Sequence, residues 1–442
     1  MVNLYFAPDA QLTPPDRMVL DVLTKDYDRF QAKNGAPAKE ASKPRYDSAS
    51  PEDANELQEE SIAKMKALNN PKAKEFDPTV FVTWDLPDTN VPPMLKKYVL
   101  DPYIRWARGI VRVETDVVML THLFLYMCTT IPSAAYLFYN FHWWHGLLHF
   151  IMQVYFMGTY TLMMHQHIHQ RGILDKKYGL IDHSFPYIMD PLMGHTWNSY
   201  YFHHVKHHHV EGNGPNDLSS TVRYQRDDPL HFLHYVARFY FLIWFDLPRY
   251  FLSTKKTSLA VKACGCEISN YLFLYIMFKY VSSGATTFAL LMPLFTMRLG
   301  MMIGNWGQHA FVDEKEPDSD FRSSITLIDV PSNRYCYNDG YHTSHHLNPL
   351  RHWRDHPVSF LAQKKQYASE HALVFYNIDY LMITFSVITK NYTHLAKCLV
   401  PMGEEQMAMT IAERAEMLRT KTKKFSEEEI AAKWGKQYAK LK

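Results

Sequence analysis

WWHGLLHFIMQVYFMGTYTLMMHQHIH, residues 143–169, is an apolar run that ends in histidines. From Trp143 to Met164 it carries no Asp, Glu, Lys or Arg, and it matches the ~20 residues a helix needs to cross a bilayer. His165 and His169 follow at once, four apart, so on a helix they share one face. His167 falls on the opposite face and reads as a residue that supports the ligands or lies at the surface rather than as a ligand itself. The stretch reads as a membrane helix with two metal-ligand candidates at its end.

Working outward, residues 117–138 are also apolar and uncharged, and the turn near Tyr139–Phe141 is too short for anything but a helical hairpin. Three more apolar stretches follow: 230–252, about 264–282, and 285–304. Histidine clusters before and after them must share one side of the bilayer, so an even number of crossings separates them. Leu230–Leu252 carries His231, His234, Arg238, Asp246 and Arg249 and reads as an interfacial helix. The last two stretches form a second hairpin, with Glu267 and Lys279 snorkelling to the surface. The expected fold is mainly α: four transmembrane helices in two hairpins, capped by cytosolic helices that hold a histidine-rich site. Lys96, Lys97, Arg105, Arg108, Arg112, Arg171, Lys176 and Lys177 crowd the histidine side, which places it in the cytosol by the positive-inside rule.

The chain has 442 residues, 14% of them aromatic, yet its mean hydropathy is only −0.29 because polar ends flank an apolar middle. Residues 1–95 read as a polar, partly flexible extension, with Gln31–Pro78 mobile or loosely helical. Residues 96–360 form the membrane domain, and 361–442 a soluble helical region in which Leu373–Ile388 packs rather than spans. A net charge of +2 gives no argument for nucleic acid. The five cysteines show no CxxC pair, which leaves a thiolate zinc site or disulfide framework without support. The N-terminus lacks a signal-peptide core. The endoplasmic reticulum is the expected location, a plastid membrane the alternative.

Further histidines stand at His203-His204-Val-Lys-His207-His208-His209, at Asn305-Trp-Gly-Gln-His309 and at His342-Thr-Ser-His345-His346. His204, His207 and His208 lie at i, i+3 and i+4, and His342, His345 and His346 repeat that spacing. Imidazole-rich ligation without thiolate suits iron, copper or zinc rather than calcium or magnesium. With His167, His203 and His209 set aside, nine imidazoles remain. They are too many for one ion, so two ions share them. A redox pair beside membrane helices points to oxygen chemistry on a lipid chain, because an unactivated C–H bond offers no handle to a general base.

The order HxxxH, HxxHH, NxxxH, HxxHH around two membrane hairpins resembles the membrane-bound di-iron fatty acid desaturase superfamily, across about residues 95–360. The resemblance implies iron ligation by His165, His169, His204, His207, His208, His309, His342, His345 and His346. It implies that Asn305 holds a water near one iron. Asn216-Asp217 and Gly340-Tyr341 are similar to desaturase surroundings. It also implies two Fe ions, O2 as co-substrate, and a fatty acyl lipid or acyl-CoA substrate. Without a His-Pro-Gly-Gly haem motif, the electrons come from a separate carrier, cytochrome b5 or ferredoxin. The first box has three intervening residues, as in acyl-lipid enzymes, while the third begins with His342 where oleate-type enzymes carry Gln. Desaturation is the expected reaction. Hydroxylation of acyl chains, alkanes or sphingoid bases is the alternative, and a non-catalytic subunit of a membrane complex is a third reading. Asp190, Asp217, Asp313, Asp329 and Asp339 are candidate partners for the ligands' second nitrogens. His142, His145 and His149 read as interfacial packing. Arg322, Arg334, Arg351 and Arg354 read as a solvated basic face, with contact to an anionic headgroup or coenzyme A as the alternative.

Overall fold

The computed structural model describes residues 12–34, 54–82 and 91–438, so parts of the 1–95 extension and of Gln31–Pro78 lie outside the described residues. The described chain is mainly helical. Helix α1 (Pro14–Lys33) starts with Pro14 in its first turn, and the Thr13 hydroxyl caps it by accepting from the Asp16 N–H. Its Val19, Leu20, Val22 and Leu23 bury against Ile328, Tyr341, Val358 and Phe360. Helix α2 (Ala54–Asn69) joins the same cluster through Met65. The N-terminal segment is therefore partly core: hydrophobic residues at helical spacing were diluted by polar neighbours.

Helix α3 (Asp101–Arg108) leads into α4 (Val117–Tyr139) and α5 (Trp143–Gln170), which form the expected hairpin. Helix α6 (Gly179–Leu192) follows, then a π-helical turn (Tyr201–His208), α7 (Pro229–Ser253), α8 (Thr257–Ile276) and α9 (Ser283–Gln308). Three of these are long and apolar enough to cross a membrane: α4, α5 and α9. Helix α8, continued by a π turn to Val281, falls short on composition. Its end lies near the α4–α5 turn, since the Phe141 ring packs where Gly284 has no side chain and also faces Phe288. Both hairpin turns thus sit together, at the end away from the histidines. Glu267 does not snorkel. It pairs with Arg298, inside the 285–304 stretch, at 3.0 Å with both side chains buried. His145 and His149 share the Ser133 hydroxyl, and His145 lies ~30 Å along the helix axis from His165.

The cap contains a small sheet that the apolar periodicity concealed. Strand β1 (Ile325–Ile328) pairs in parallel with β2 (Leu373–Tyr376), which pairs antiparallel with β3 (Leu399–Val400). Leu373–Ile388 is therefore strand β2 followed by helix α11 (Tyr380–Ile388), after the short α10 (His342–Leu347). A run of this length fits strand or helix equally well. The boundary drawn at residue 360 runs through this sheet. The arginines read as a basic face are engaged as well. Arg354 is 1% exposed and donates to Asn69 and to the Asp77 carbonyl, while Arg351 donates to Ser344 and Arg322 pairs with Glu370.

Candidate metal centre

The histidine boxes arrive from four directions. His165 and His169 end α5, and His309 directly follows α9. His342, His345 and His346 form α10, a six-residue helix pinned from behind by α1 through the Asp16–Tyr341 hydrogen bond of 2.7 Å. The second box lies on the π turn. There the His209 N–H bonds to the His204 carbonyl, five residues back. That wider turn stacks residues four and five apart instead of three and four.

This register decides which imidazoles of the second box meet those of the other boxes. Four Nε2 atoms close a ring: His165 to His204 at 2.8 Å, His204 to His209 at 3.0 Å, His209 to His345 at 2.8 Å, and His345 to His165 at 3.0 Å. A square with such edges keeps its corners ~2.1 Å from its centre, the length of a metal–imidazole bond. His169 completes the group, and its Nε2 is buried without a hydrogen-bond partner. His209, set aside on sequence, is thus a member. His207 points away: its Nε2 accepts the Leu218 N–H and its ring packs on Tyr250.

A second group gathers His208, His309 and His346, with the His342 Nε2 3.2 Å from that of His309. Here the Nδ1 atoms turn outward. His208 donates to Asp217 at 2.7 Å and His309 to the Ser323 carbonyl at 2.8 Å, while Asp320 stands 3.5 Å from His346. Such partners fix the ring and direct the other nitrogen inward, and the His346 Nε2 is again buried and unpartnered. The groups adjoin, with the His209 and His346 rings 5.1 Å apart. Of the five carboxylates considered on sequence, Asp217 takes this role. Asp320, Ser323 and the stacking Tyr200 were missed because their loops meet the boxes only in three dimensions.

Burial, reinforced by neighbouring imidazoles, holds His204, His209, His309, His342 and His345 well below the usual histidine range. They are neutral, the form that ligates a metal. Burial opposes the Asp217 charge, but His208 keeps its carboxyl below the usual range. The donors are all imidazole nitrogens, with orphaned atoms aimed inward and ligand-like spacings, so the residues fit two transition-metal ions. The Asn305 amide donates to the Ser219 carbonyl at 2.9 Å and to the Tyr235 hydroxyl at 2.7 Å. It braces the turn that carries Asp217. The His167 Nε2 meets the Asp182 carbonyl at 3.0 Å, while the Asp182 carboxylate accepts the Ile173 and Leu174 N–H groups, so that neighbourhood is a satisfied loop.

The fatty acid desaturase family matches residues 141–375, more than half of the chain, and the chain belongs to that family. No curated protein and no solved structure matches it. An apolar helical frame and a histidine-rich cluster in this family fit di-iron chemistry of the desaturase and hydroxylase type.

Proposed function

We propose that the chain is an O2-dependent membrane oxidoreductase that desaturates a fatty acyl chain, carried as an acyl lipid or acyl-CoA, at two histidine-held iron ions. The convergence of two adjoining imidazole groups where α5, α9 and α10 end carries this reading. The irons, when bound, supply the oxidising power that an unactivated C–H bond demands. The first ion is assigned to His165, His169, His204, His209 and His345, the second to His208, His309, His342 and His346. The chain's own contribution is to keep these imidazoles neutral and to lock their rings through Asp217, Ser323 and Asp320. The overall reaction balances as O2, two electrons, two protons and two adjacent CH2 groups going to one double bond and two waters. A separate carrier, cytochrome b5 or ferredoxin, delivers the electrons.

Four crossings are proposed, with α8 as the fourth, a cytosolic cap and the endoplasmic reticulum as the membrane. In support, α8 runs from the histidine end to the distal turn, and the Glu267–Arg298 pair removes two charges from contact with lipid. Hydroxylation of acyl chains, alkanes or sphingoid bases needs the same site with one oxygen atom retained, and chain placement at sub-ångström scale separates the outcomes. A non-catalytic subunit fits less well, since no box has lost its histidines. Lipid mass spectrometry on cells expressing the protein or its His345→Ala variant tests the reading. A product two hydrogens lighter that vanishes in the variant supports desaturation. A product heavier by one oxygen replaces it with hydroxylation, and no product in either overturns both.

A further inference from the structure

A cavity of about 380 Å³ lies beside the first histidine group, between the end of α5, helix α6 and residues 195–201. That is the small end of the range for ligand sites, enough for a lipid head and a short length of chain. Its walls are mostly apolar, but Asp190 and His195 line it and both are more than nine-tenths buried. One Asp190 oxygen accepts the Tyr160 hydroxyl at 2.6 Å, and the His195 Nε2 meets the Thr161 hydroxyl at 2.9 Å. The other Asp190 oxygen and the His195 Nδ1 have no protein partner among the described residues. Neither belongs to the fully buried unpartnered atoms, so both open onto the cavity, where a polar group can reach them.

The cavity and the metal centre share a wall. The Tyr200 ring is stacked between His195, at 5.5 Å, and His165, at 6.2 Å. Anything seated on Asp190 and His195 therefore sits two ring-widths from the first group. Burial pushes the Asp190 carboxyl up to about 7, so it both accepts and donates near neutrality, while burial keeps His195 neutral. The cavity's only guanidinium, Arg171, stays at the exposed rim beside His183. The largely buried Arg298 also bears on His195, but Glu267 already pairs with it at 3.0 Å, so a carboxylate or phosphate head would meet a partly ionised acid without a cation left to offset it. A hydroxyl or amide would satisfy both open atoms. Helix α6 also turns Leu180, Ile181, Tyr187 and Ile188 outward, as a helix lying among lipid heads does.

We propose that this cavity binds the uncharged head of an amphiphilic substrate, a hydroxyl- or amide-bearing head on a long chain, and so selects a substrate class within the oxidation proposed above. Asp190 and His195 are its recognition residues. The proposal rests on that oxidation for its purpose, but not for its test, which uses the full-length protein freed of metal in detergent. Trp197 lines the cavity and reports occupancy by its fluorescence, with Trp197→Phe as the control that loses the signal. The probes share one chain length: N-stearoylethanolamine, stearate and octadecane.

N-stearoylethanolamine is expected to shift Trp197 emission saturably and to bind ~10-fold or more tightly than either other probe. Asp190→Asn and His195→Gln should each weaken it ~10-fold while stearate and octadecane hardly change. Equal binding of the three probes by the wild-type protein overturns the proposal, whatever the variants do. So does a folded Asp190→Asn or His195→Gln variant that binds like wild type. Because iron is absent, either failure leaves the oxidation reading standing, and a failure to oxidise any lipid leaves this result untouched.

Discussion

At the residue scale, the contrast between His207 and His209 is the sharpest consequence of the structure. Both belong to one histidine run, and α-helical spacing selects His207. The π turn selects His209, whose Nε2 lies 3.0 Å from that of His204 and 2.8 Å from that of His345. Replacing His209 with Ala should therefore remove more iron and activity than the ~10–100-fold typical of a residue that only supports a ligand. His207→Ala should cost no more than that supporting range. Iron content and turnover of the two purified variants, side by side, decide it, and a larger loss at His207 would sink the register argument. Seven of the nine ligand candidates read on sequence stand in one of the two groups, and His342 stands 3.2 Å from His309. What sequence could not supply was the backbone hydrogen bond that makes the turn π rather than α.

The same residues set a pH dependence. His204, His209, His309, His342 and His345 are depressed by burial in the folded state, whereas an unfolded histidine titrates near 6.5. Below that pH the unfolded chain binds more protons than the folded one. Metal-free protein should therefore lose up to ~1.4 kcal/mol of stability per pH unit for each such histidine as pH falls below 6.5. Melting temperatures at pH 7.5 and 5.5 read this directly. A melting point unchanged or higher at pH 5.5 would mean that these imidazoles are not buried neutral.

At the element scale, α8 and α9 are held by an ion pair that composition alone misplaces. Glu267 looked like a charge bound for the surface, and Arg298 was hidden within an apolar stretch. Arg298 reaches both Glu267 oxygens, at 3.0 and 3.1 Å, and also donates to the Tyr271 hydroxyl. Removing one partner strands the other, so Arg298→Leu should destabilise the protein by ~3–5 kcal/mol, while Glu267→Leu/Arg298→Leu together should recover most of it. Unfolding in detergent, compared across the two single variants and the double, measures the coupling. A double variant as unstable as the sum of the singles would deny the pair. The hairpin α4–α5 was legible because no Asp, Glu, Lys or Arg interrupts residues 117–164. Strand β2 was not, because its partners β1 and β3 come from segments some 45 and 25 residues away and no local period marks the pairing.

At the scale of the whole molecule, the histidine ends of α5 and α9 face one way and the turns near Phe141 and Gly284 lie together at the other. Labels introduced at Asn140 and at Ser282 should report from one side of the membrane, and a label at Lys436 from the opposite side. If Ser282 reports with Lys436, α8 does not cross and the four-span arrangement falls. The three long apolar helices and the order of the boxes could be read in advance, because the first box and His309 directly follow apolar runs. The way α1 braces α10 through Asp16 and Tyr341 could not, since those residues stand at opposite ends of the chain.

The central claim is that two adjoining imidazole groups each hold one iron. Metal analysis of protein purified after expression in iron-replete cells tests it most directly, with His345→Ala and His346→Ala beside the wild type. The account expects two irons per chain in the wild-type protein, with His345→Ala depleting the first group and His346→Ala the second. A wild-type chain that holds one ion, holds zinc, or keeps its full iron in both variants would contradict it.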